Sequence, residues 1–549
     1  MRDGPWDLTP PVDLTAWTGT GPRRVQRPRY VDLLPPCSGA CPAGEDIQGW
    51  LDAAQGGRFR AAWEILTADN PLPAVHGRVC YHPCEDACNR RELDSAVSVH
   101  AVERFLGDLA NDEQWPYPTP VSDRGIRVLV VGAGPCGLSA AYHLRRLGYA
   151  VEVRDSEDEP GGMLRFGIPA YRLPRAELRR EVDRIEAMGV KFSLGQRVTD
   201  VQAERADGGF AAVFLAIGAQ IAHRIDIPVR DARPVLDAVS LLHRVGEGER
   251  PQLGRRVVVY GGGNTALDAA RTARRLGAED TLVVYHRDAS RMSTHAFEAE
   301  EARVEGIRFR WLSSIRGVDG ASVTVERMRL DADGELQPTG VMETLDADSV
   351  VLAVGQRADT GFLRQVPGVE VLADGSVVVG ENLMTGQAGV FAGGDMTRGE
   401  RTVSAAVGHG KRGALQIDGW IRGVGYRRPK PAAEVRFDML HLELYTDAVA
   451  STQPELPAAA RLGGFVEITG GIRAGDARYE AQRCLSCGNC FECDQCYGAC
   501  PEQAIEKLGR DRGYRIDLDR CTGCAVCFQV CPCHAIEMVQ EPSGQEGAT

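Results

Sequence analysis

Apolar positions along the chain fall into stretches of different period, and each stretch predicts an element. Residues 1–35 are rich in Pro, Arg and Thr without any period and predict an extended arm. Over 45–69 and 97–109 apolar residues recur at helical spacing, so 36–120 reads as a helical domain. It ends in a Pro-rich linker, Gln114-Trp-Pro-Tyr-Pro-Thr-Pro120. Two units of strand, glycine loop and helix follow at 126–147 and 256–276, repeating a mechanism rather than a solenoid period. Residues 426–481 carry Pro and Ala clusters with weak patterning and read as a connector. Residues 482–540 form a short cysteine-rich module, and 541–549 a disordered tail.

In the first unit, Arg127-Val-Leu-Val-Val131 runs straight into Gly132-Ala-Gly134-Pro-Cys136-Gly137. Gly132 permits the tight turn, Gly134 lets a pyrophosphate approach the backbone, and Gly137 lets the helix pack on the strand. The helix N-terminus then offers oriented N–H groups to the phosphates. Asp155 comes 23 residues after Gly132, at the end of the second strand, where a carboxylate accepts ribose hydroxyls. The second unit, Gly261-Gly-Gly263-Asn264-Thr265-Ala266, has Ala in the third place, and its second strand ends in His286-Arg287 without an acid. With Arg287 and Arg291 nearby, this leans towards a 2′-phosphate, so NADPH or NADH is expected there. Two such units suggest two dinucleotides, whose physical use is hydride transfer between them. A third signal is Gly389-Val-Phe-Ala-Gly-Gly394-Asp395, followed by Thr402-Val403-Ser-Ala-Ala-Val407, which can start a helix.

These motifs, with Glu159-Pro-Gly-Gly162-Met-Leu164-Arg-Phe-Gly-Ile-Pro169 and Ala353-Val-Gly355-Gln356, resemble the glutamate synthase small-subunit-like flavoproteins. That family includes the flavin half of dihydropyrimidine dehydrogenase and transhydrogenase-type ferredoxin reductases, and the resemblance covers roughly residues 36–425. It implies an α/β fold of two Rossmann-like domains in a disulfide-reductase-like arrangement, flanked by an N-terminal helical iron–sulfur domain and a C-terminal α+β ferredoxin-type domain. FAD would take the segments 124–250 and 356–425, with Gly162, Leu164, Gly394, Asp395, Thr402 and Val403 among its contacts and Asp395 at the ribityl chain. NAD(P)H would take the inserted segment 251–355, through Gly261, Gly263, Asn264, Thr265, His286, Arg287 and Gly355. Cys136 stands where the family more often has Ala; with no second cysteine in the FAD domain it reads as a packing residue, not half of a redox pair.

The chain has 17 cysteines, unevenly placed. Five lie between Cys37 and Cys88, Cys136 stands alone, 347 residues follow with none, and eleven lie between Cys484 and Cys533. An odd total cannot pair fully, and a cytoplasmic chain rarely keeps disulfides, so the clustering suggests metal or iron–sulfur ligation at both ends. Cys490-x2-Cys493-x2-Cys496-x3-Cys500-Pro and Cys521-x2-Cys524-x2-Cys527-x3-Cys531-Pro are two ferredoxin runs, in which the fourth cysteine serves the other cluster. One [4Fe–4S] cluster is therefore expected on Cys490, Cys493, Cys496 and Cys531, and another on Cys521, Cys524, Cys527 and Cys500. The N-terminal set resembles the family's helical iron–sulfur domain, which usually begins with an extra Cys-x2-Cys and forms two clusters. Lacking that pair, this chain is expected to hold at least one N-terminal [4Fe–4S] cluster on Cys41, Cys80 and Cys84, with Cys37, Cys88 or Glu103 as the fourth ligand. The segment Glu480-Ala-Gln-Arg-Cys484-Leu-Ser-Cys487 looks like the missing motif moved to the far end, where it would meet Cys37 and Cys88 if the domains dock. Cys533 is left over.

Composition narrows the classes. At 549 residues, 43% apolar and 25% charged, the chain is globular with about three to four domains. A net charge of −13 argues against a nucleic-acid surface. The N-terminus shows no secretory h-region, and no apolar run predicts a membrane span, the best candidate (126–144) belonging to the first glycine unit; a cytoplasmic protein is expected. The reading is an iron–sulfur flavoprotein oxidoreductase that moves electrons between NAD(P)H, FAD and [4Fe–4S] clusters, to or from ferredoxin or another redox subunit. It would work as a homodimer or heteromer, with the N-terminal cluster next to the flavin and the ferredoxin module at the exit. The flavin carries the hydride chemistry, so no catalytic side chain is assigned. Competing readings are the small (beta) subunit of glutamate synthase, the NAD(P)H-linked partner of a reverse dissimilatory sulfite reductase, and an electron-wiring subunit whose nucleotide site is unused.

Overall fold

The structure is a computed structural model that describes residues 24–118, 122–223, 225, 227–230, 235–443, 445–509 and 512–541. Two parallel sheets organise the centre. The first runs Val390–Ala392, Phe210–Leu215, Arg127–Val131, Ala150–Arg154 and Lys191–Ser193, with every neighbouring pair parallel. Its strands are near-continuous apolar runs because both faces are buried, one under the helices Pro135–Arg146 and Val403–Ile421 and the other under Val198, Leu363, Val366 and Val377. The second runs Arg308–Arg310, Asp280–Val284, Arg256–Tyr260, Ser349–Leu352 and Val235–Asp237, again parallel throughout. It is inserted between two strands of the first, since the chain leaves at Leu215 and returns at Val390. Both glycine units thus fold as strand, loop and helix, the helices being Pro135–Arg146 and Asn264–Arg275.

The helical domain is built from Ile47–Gln55, Phe59–Thr67, Pro73–Val79 and Val99–Asp112. The expected run over 45–69 is split at Gly56-Gly57, where Gly57 takes φ +73°. The domain is not a separate globule: Trp50, Trp63, Leu66 and Val102 share one continuous core with Val130, Leu138 and Tyr142 of the first sheet layer. Glu181 seals the joint from the other side, its two carboxylate oxygens accepting from the Ala74 and Val75 N–H groups at 2.8 and 3.1 Å.

Both chain ends depart from the sequence reading. Gln26–Tyr30 is not a free arm but an antiparallel strand paired with Ile536–Gln540. QRPRY carries no period-2 signal, because it is an edge strand whose pairing comes mainly from backbone groups, with the opposed Arg29 and Glu537 side chains 3.6 Å apart. Arg24 continues the contact through an ion pair of 2.6 Å to Glu541. The start of the arm (1–23) and the rest of the expected tail (542–549) lie outside the described residues. The connector is also packed. Val435 and Leu440 form a small core with Leu485 and Cys487, and the helix Ala474–Gln482 lies against Ile47–Gln55 and Val99–Asp112. Among the described residues, no helix is long and apolar enough to cross a membrane.

Candidate functional site

The two sheets present their glycine loops to one cleft of about 820 Å³. Its walls carry Gly132, Gly134, Asp155, Gly162, Leu164, Gly394, Asp395, Thr402 and Val403 from the first unit and its return, and Gly261, Gly263, Asn264, Thr265, His286 and Gly355 from the insert. Two expected residues are elsewhere. Gly137 lies behind the loop, and Arg287 is exposed outside the cleft lining. Arg291 is turned away, its guanidinium donating to the Gly334 carbonyl at 2.7 Å. The cationic pair read from sequence as a 2′-phosphate site is therefore not assembled at the cleft wall.

The three glycines of the first loop differ in the way the fingerprint requires. A Cβ on Gly132 would sit 2.3 Å from the Ala216 carbonyl oxygen, and one on Gly137 would sit 1.9 Å from the Gly132 carbonyl oxygen. A Cβ on Gly134 would meet nothing within 4 Å. The first and third positions are closed by the protein itself; the second faces empty space, where a pyrophosphate can reach the backbone. Asp155 accepts from the Ala133 N–H at 2.6 Å and the Glu157 N–H at 2.9 Å, which fixes the glycine loop from behind. Cys136 packs against Gly393 and Gly394, and burial pushes its thiol up. The Gly394 N–H donates to His409 Nδ1 at 3.0 Å, so that ring nitrogen is an acceptor, and burial holds the imidazole down at about 4.

The helical domain reaches into this cleft. Tyr81, which sequence reasoning passed over, lines it beside Val79; its hydroxyl accepts from Asn264 Nδ2, and its ring stacks on His295 at 3.9 Å. The neighbouring Cys80 Sγ lies 3.1 Å from Ser404 Oγ, on the helix Val403–Ile421 whose first residues also line the cleft. Around Cys80 the structure gathers Cys41, Cys84 and Glu103: Cys80 is a near neighbour of the other three, and Glu103 also of Cys41 and Cys84. Glu103 is buried and accepts from Asn70 Nδ2 at 2.9 Å, and burial, then Glu45 and Cys80, raise its carboxyl. Glu45, also missed from sequence, shares Asn70 at 2.9 Å and is pushed up to about 7 by burial. Cys37 and Cys88 are not part of this group. They line a separate cavity with Cys484 and Cys487.

At the other end, Cys490, Cys493 and Cys496 each have Cys531 as a charged neighbour. Cys521, Cys524 and Cys527 line a cavity with Cys500. Cys533 sits with its sulfur 3.8 Å from Cys531 Sγ. Tyr30, from the N-terminal strand, places its hydroxyl 3.2 Å from Cys496 Sγ.

Residues 126–410 match the pyridine nucleotide-disulphide oxidoreductase family. The chain belongs to this family. Residues 32–115 match the dihydropyrimidine dehydrogenase domain II 4Fe–4S family, and 489–535 the 4Fe–4S dicluster domain. The chain is 34% identical to the NADP(+)-dependent formate dehydrogenase subunit beta of Moorella thermoacetica, over 82% of this chain and 70% of that one. It is 32% identical to the NADPH-Fe(3+) oxidoreductase subunit beta of Geobacter sulfurreducens, over 84% and 76%. With the glutamate synthase [NADPH] small chain of Escherichia coli it shares 33% identity, over 70% and 89%.

The protein is thus a flavin-dependent pyridine nucleotide oxidoreductase carrying 4Fe–4S clusters. Its residues suit those groups. Gly134 and Gly263 leave open backbone at the heads of two helices, none of the 17 cysteines is paired, and eight of them line two small cavities in fours. Within the matched segment 126–410 Cys136 is the sole cysteine, so the disulfide chemistry in the family's name has no pair here to act on.

Proposed function

We propose that the chain carries electrons between NAD(P)H, bound on the Gly261–Thr265 side of the cleft, and a protein redox partner at the ferredoxin end. On this reading FAD occupies the Gly132–Gly137 side, and Cys41, Cys80, Cys84 and Glu103 hold the adjoining [4Fe–4S] cluster. Two further clusters sit on Cys490, Cys493, Cys496 and Cys531, and on Cys500, Cys521, Cys524 and Cys527. The observation that carries the proposal is the 3.1 Å contact of Cys80 Sγ with Ser404 Oγ, which brings a ligand thiol to the helix that opens the flavin side of the cleft. FAD held there would supply hydride acceptance from a nicotinamide and one-electron release to clusters.

The protein's own residues bind, orient and exclude water. The open backbone at Gly134 and the N-terminus of Pro135–Arg146 receive the pyrophosphate, and Asp155 holds the loop in shape while offering its remaining lone pairs to a ribose. Tyr81 closes the gap between the helical domain and the nucleotide insert through Asn264 and His295. The partner is a ferredoxin or a redox subunit, as the naming of the Moorella and Geobacter relatives as subunits suggests. A thiol-rich chain of this kind belongs in a reducing compartment, the cytoplasm.

Anaerobic titration with NADH and NADPH in parallel tests the reading. The flavin spectrum is expected to bleach and a viologen dye to be reduced, and copurification of the native chain identifies the partner. Failure of both nucleotides to bleach a flavin-loaded chain refutes it.

A further inference from the structure

We infer that Cys37, Cys88, Cys484 and Cys487 form an additional [4Fe–4S] site, assembled from the two ends of the chain. Neither iron–sulfur family match includes the second pair, since those segments end at 115 and begin at 489. The four cysteines line one small cavity with Pro35, Pro36, Leu51 and Leu485. Cys484, Cys88 and Cys487 are near neighbours of Cys37, and Cys487 and Cys88 are near neighbours of Cys484.

The four sulfurs do not converge as the ligands of a single ion do. Zinc with bonds of about 2.3 Å to a tetrahedron of thiolates would draw the sulfurs to about 3.8 Å from one another. Among the described residues, the groups whose ligand atoms all lie within 4.8 Å are His82, Glu85 and His100, and Glu45, His76 and Glu103. The four cysteines are not among them. They ring a space instead of converging on a point, as ligands at the corners of an iron–sulfur cube do.

The backbone supplies a second, independent observation. In Cys484-Leu-Ser-Cys487 the third residue, Ser486, has φ +48°. The first Cys-x-x-Cys of each ferredoxin run does the same, with Glu492 at φ +56° and Gly523 at φ +71°. A left-handed non-glycine residue costs about 1–2 kcal/mol, and such strain persists where the surroundings demand it. In this conformation the Ser486 N–H points back to Cys484 Sγ at 3.4 Å. The turn therefore has the form of its two ferredoxin counterparts, although it lies outside both runs.

The two halves of the site are clamped together. Arg483, 2% exposed, pairs with Glu480 at 2.9 Å and Asp94 at 3.2 Å and donates to the Ser95 and Ala96 carbonyls. Arg90, two residues after Cys88, donates to the Arg483 carbonyl at 3.0 Å. Asn89 Nδ2 donates to Cys487 Sγ at 3.4 Å and to the Val435 carbonyl at 3.0 Å. Buried charges held this closely fix register across 395 residues of intervening chain, from Cys88 to Cys484.

The site deepens the electron-carrying proposal, and metal counting tests it apart from that proposal. The full chain, purified without oxygen, is expected to hold about sixteen iron and sixteen sulfide per FAD. The variant with both Cys484→Ser and Cys487→Ser is expected to lose about four of each while keeping its FAD; Cys88→Ser should lose the same four, and the triple variant no more. A wild-type count of about twelve or fewer, stoichiometric zinc, or a double variant with undiminished iron overturns the site. Should the variants fail to fold, the wild-type count and the spin integration of the reduced protein decide: about four clusters' worth of signal supports the site and three refutes it. A count of twelve with a flavin that NADPH still bleaches removes this site alone.

Discussion

Cys80 Sγ and Ser404 Oγ lie 3.1 Å apart, joining the helical iron–sulfur domain to the helix Val403–Ile421, whose first residues line the cleft. Ser404 is 3% exposed, so the hydroxyl has little else to bond. Nearby, a Cβ on Gly408 of the same helix would stand 2.0 Å from the Pro42 carbonyl oxygen, one residue after Cys41. The helix is therefore seated on the cysteine loop at two points, and glycine permits the second.

With Cys80 as a cluster ligand, the Ser404 hydroxyl donates to a thiolate and favours the reduced cluster. Ser404→Ala is expected to lower that cluster's midpoint potential by about 40 mV, the equivalent of a hydrogen bond of ~1 kcal/mol in a one-electron couple. A redox titration followed by electron paramagnetic resonance measures the shift. An unchanged potential would mean that the contact carries no charge-assisted bond.

Tyr30→Phe makes the same test at the other end. The phenol lies 3.2 Å from Cys496 Sγ, and its ring stacks on Tyr514 at 6.1 Å, which Phe preserves. A fall of about 40 mV is expected in one ferredoxin-type cluster, with the cluster beside Ser404 unmoved.

The glycine loop predicts opposite failures for neighbouring substitutions. Gly134→Val puts its side chain into open space at an ordinary φ of −75°, so the chain should fold with near-normal stability. It should bind FAD at least about tenfold more weakly, ~1.4 kcal/mol. Gly137→Ala places a methyl 1.9 Å from a backbone oxygen and should destabilise the fold itself by about 1–3 kcal/mol. Thermal melts and FAD-to-protein ratios separate the two; equal FAD retention in Gly134→Val and wild type would contradict the assignment.

His409 predicts an acid-side weakness. Its Nδ1 accepts from the Gly394 N–H, and burial holds it neutral down to about 4. A folded-state value below the ordinary 6.5 means that stability is fully present above 6.5 and is lost as pH falls from there towards 4. Since the ring is partly solvated, about 1–2 kcal/mol is at stake. Melting temperature against pH should drop over this window in wild type and drop less in His409→Asn, whose side chain gains no proton.

Much of the site was legible because its signals are local. The order strand, Gly132, Gly134, Gly137, helix, Asp155 spans 29 residues, and Gly137 answers to the Gly132 carbonyl of its own loop. Tyr81 was not legible: nothing in Val79-Cys80-Tyr81 announces a residue that reaches Asn264 across 183 positions. Arg287 shows the reverse case. A cation three residues beyond a strand end looked fit for a phosphate, but the bend after the strand left it in solvent.

The sequence by itself determined which side chains are chemically capable: glycines where backbone must be approached, cysteines at ligand spacing, an acid after a strand. Those depend on a few consecutive dihedrals and so survive without knowledge of the fold. Only the tertiary structure decided the grouping. It put Glu103 with Cys41, Cys80 and Cys84, and it put Cys37 and Cys88 opposite Cys484 and Cys487, nearly the whole chain away. A ligand set is defined by convergence in space, and that convergence rests on the packing of the connector and on buried contacts such as Arg483 with Asp94, which no spacing rule encodes.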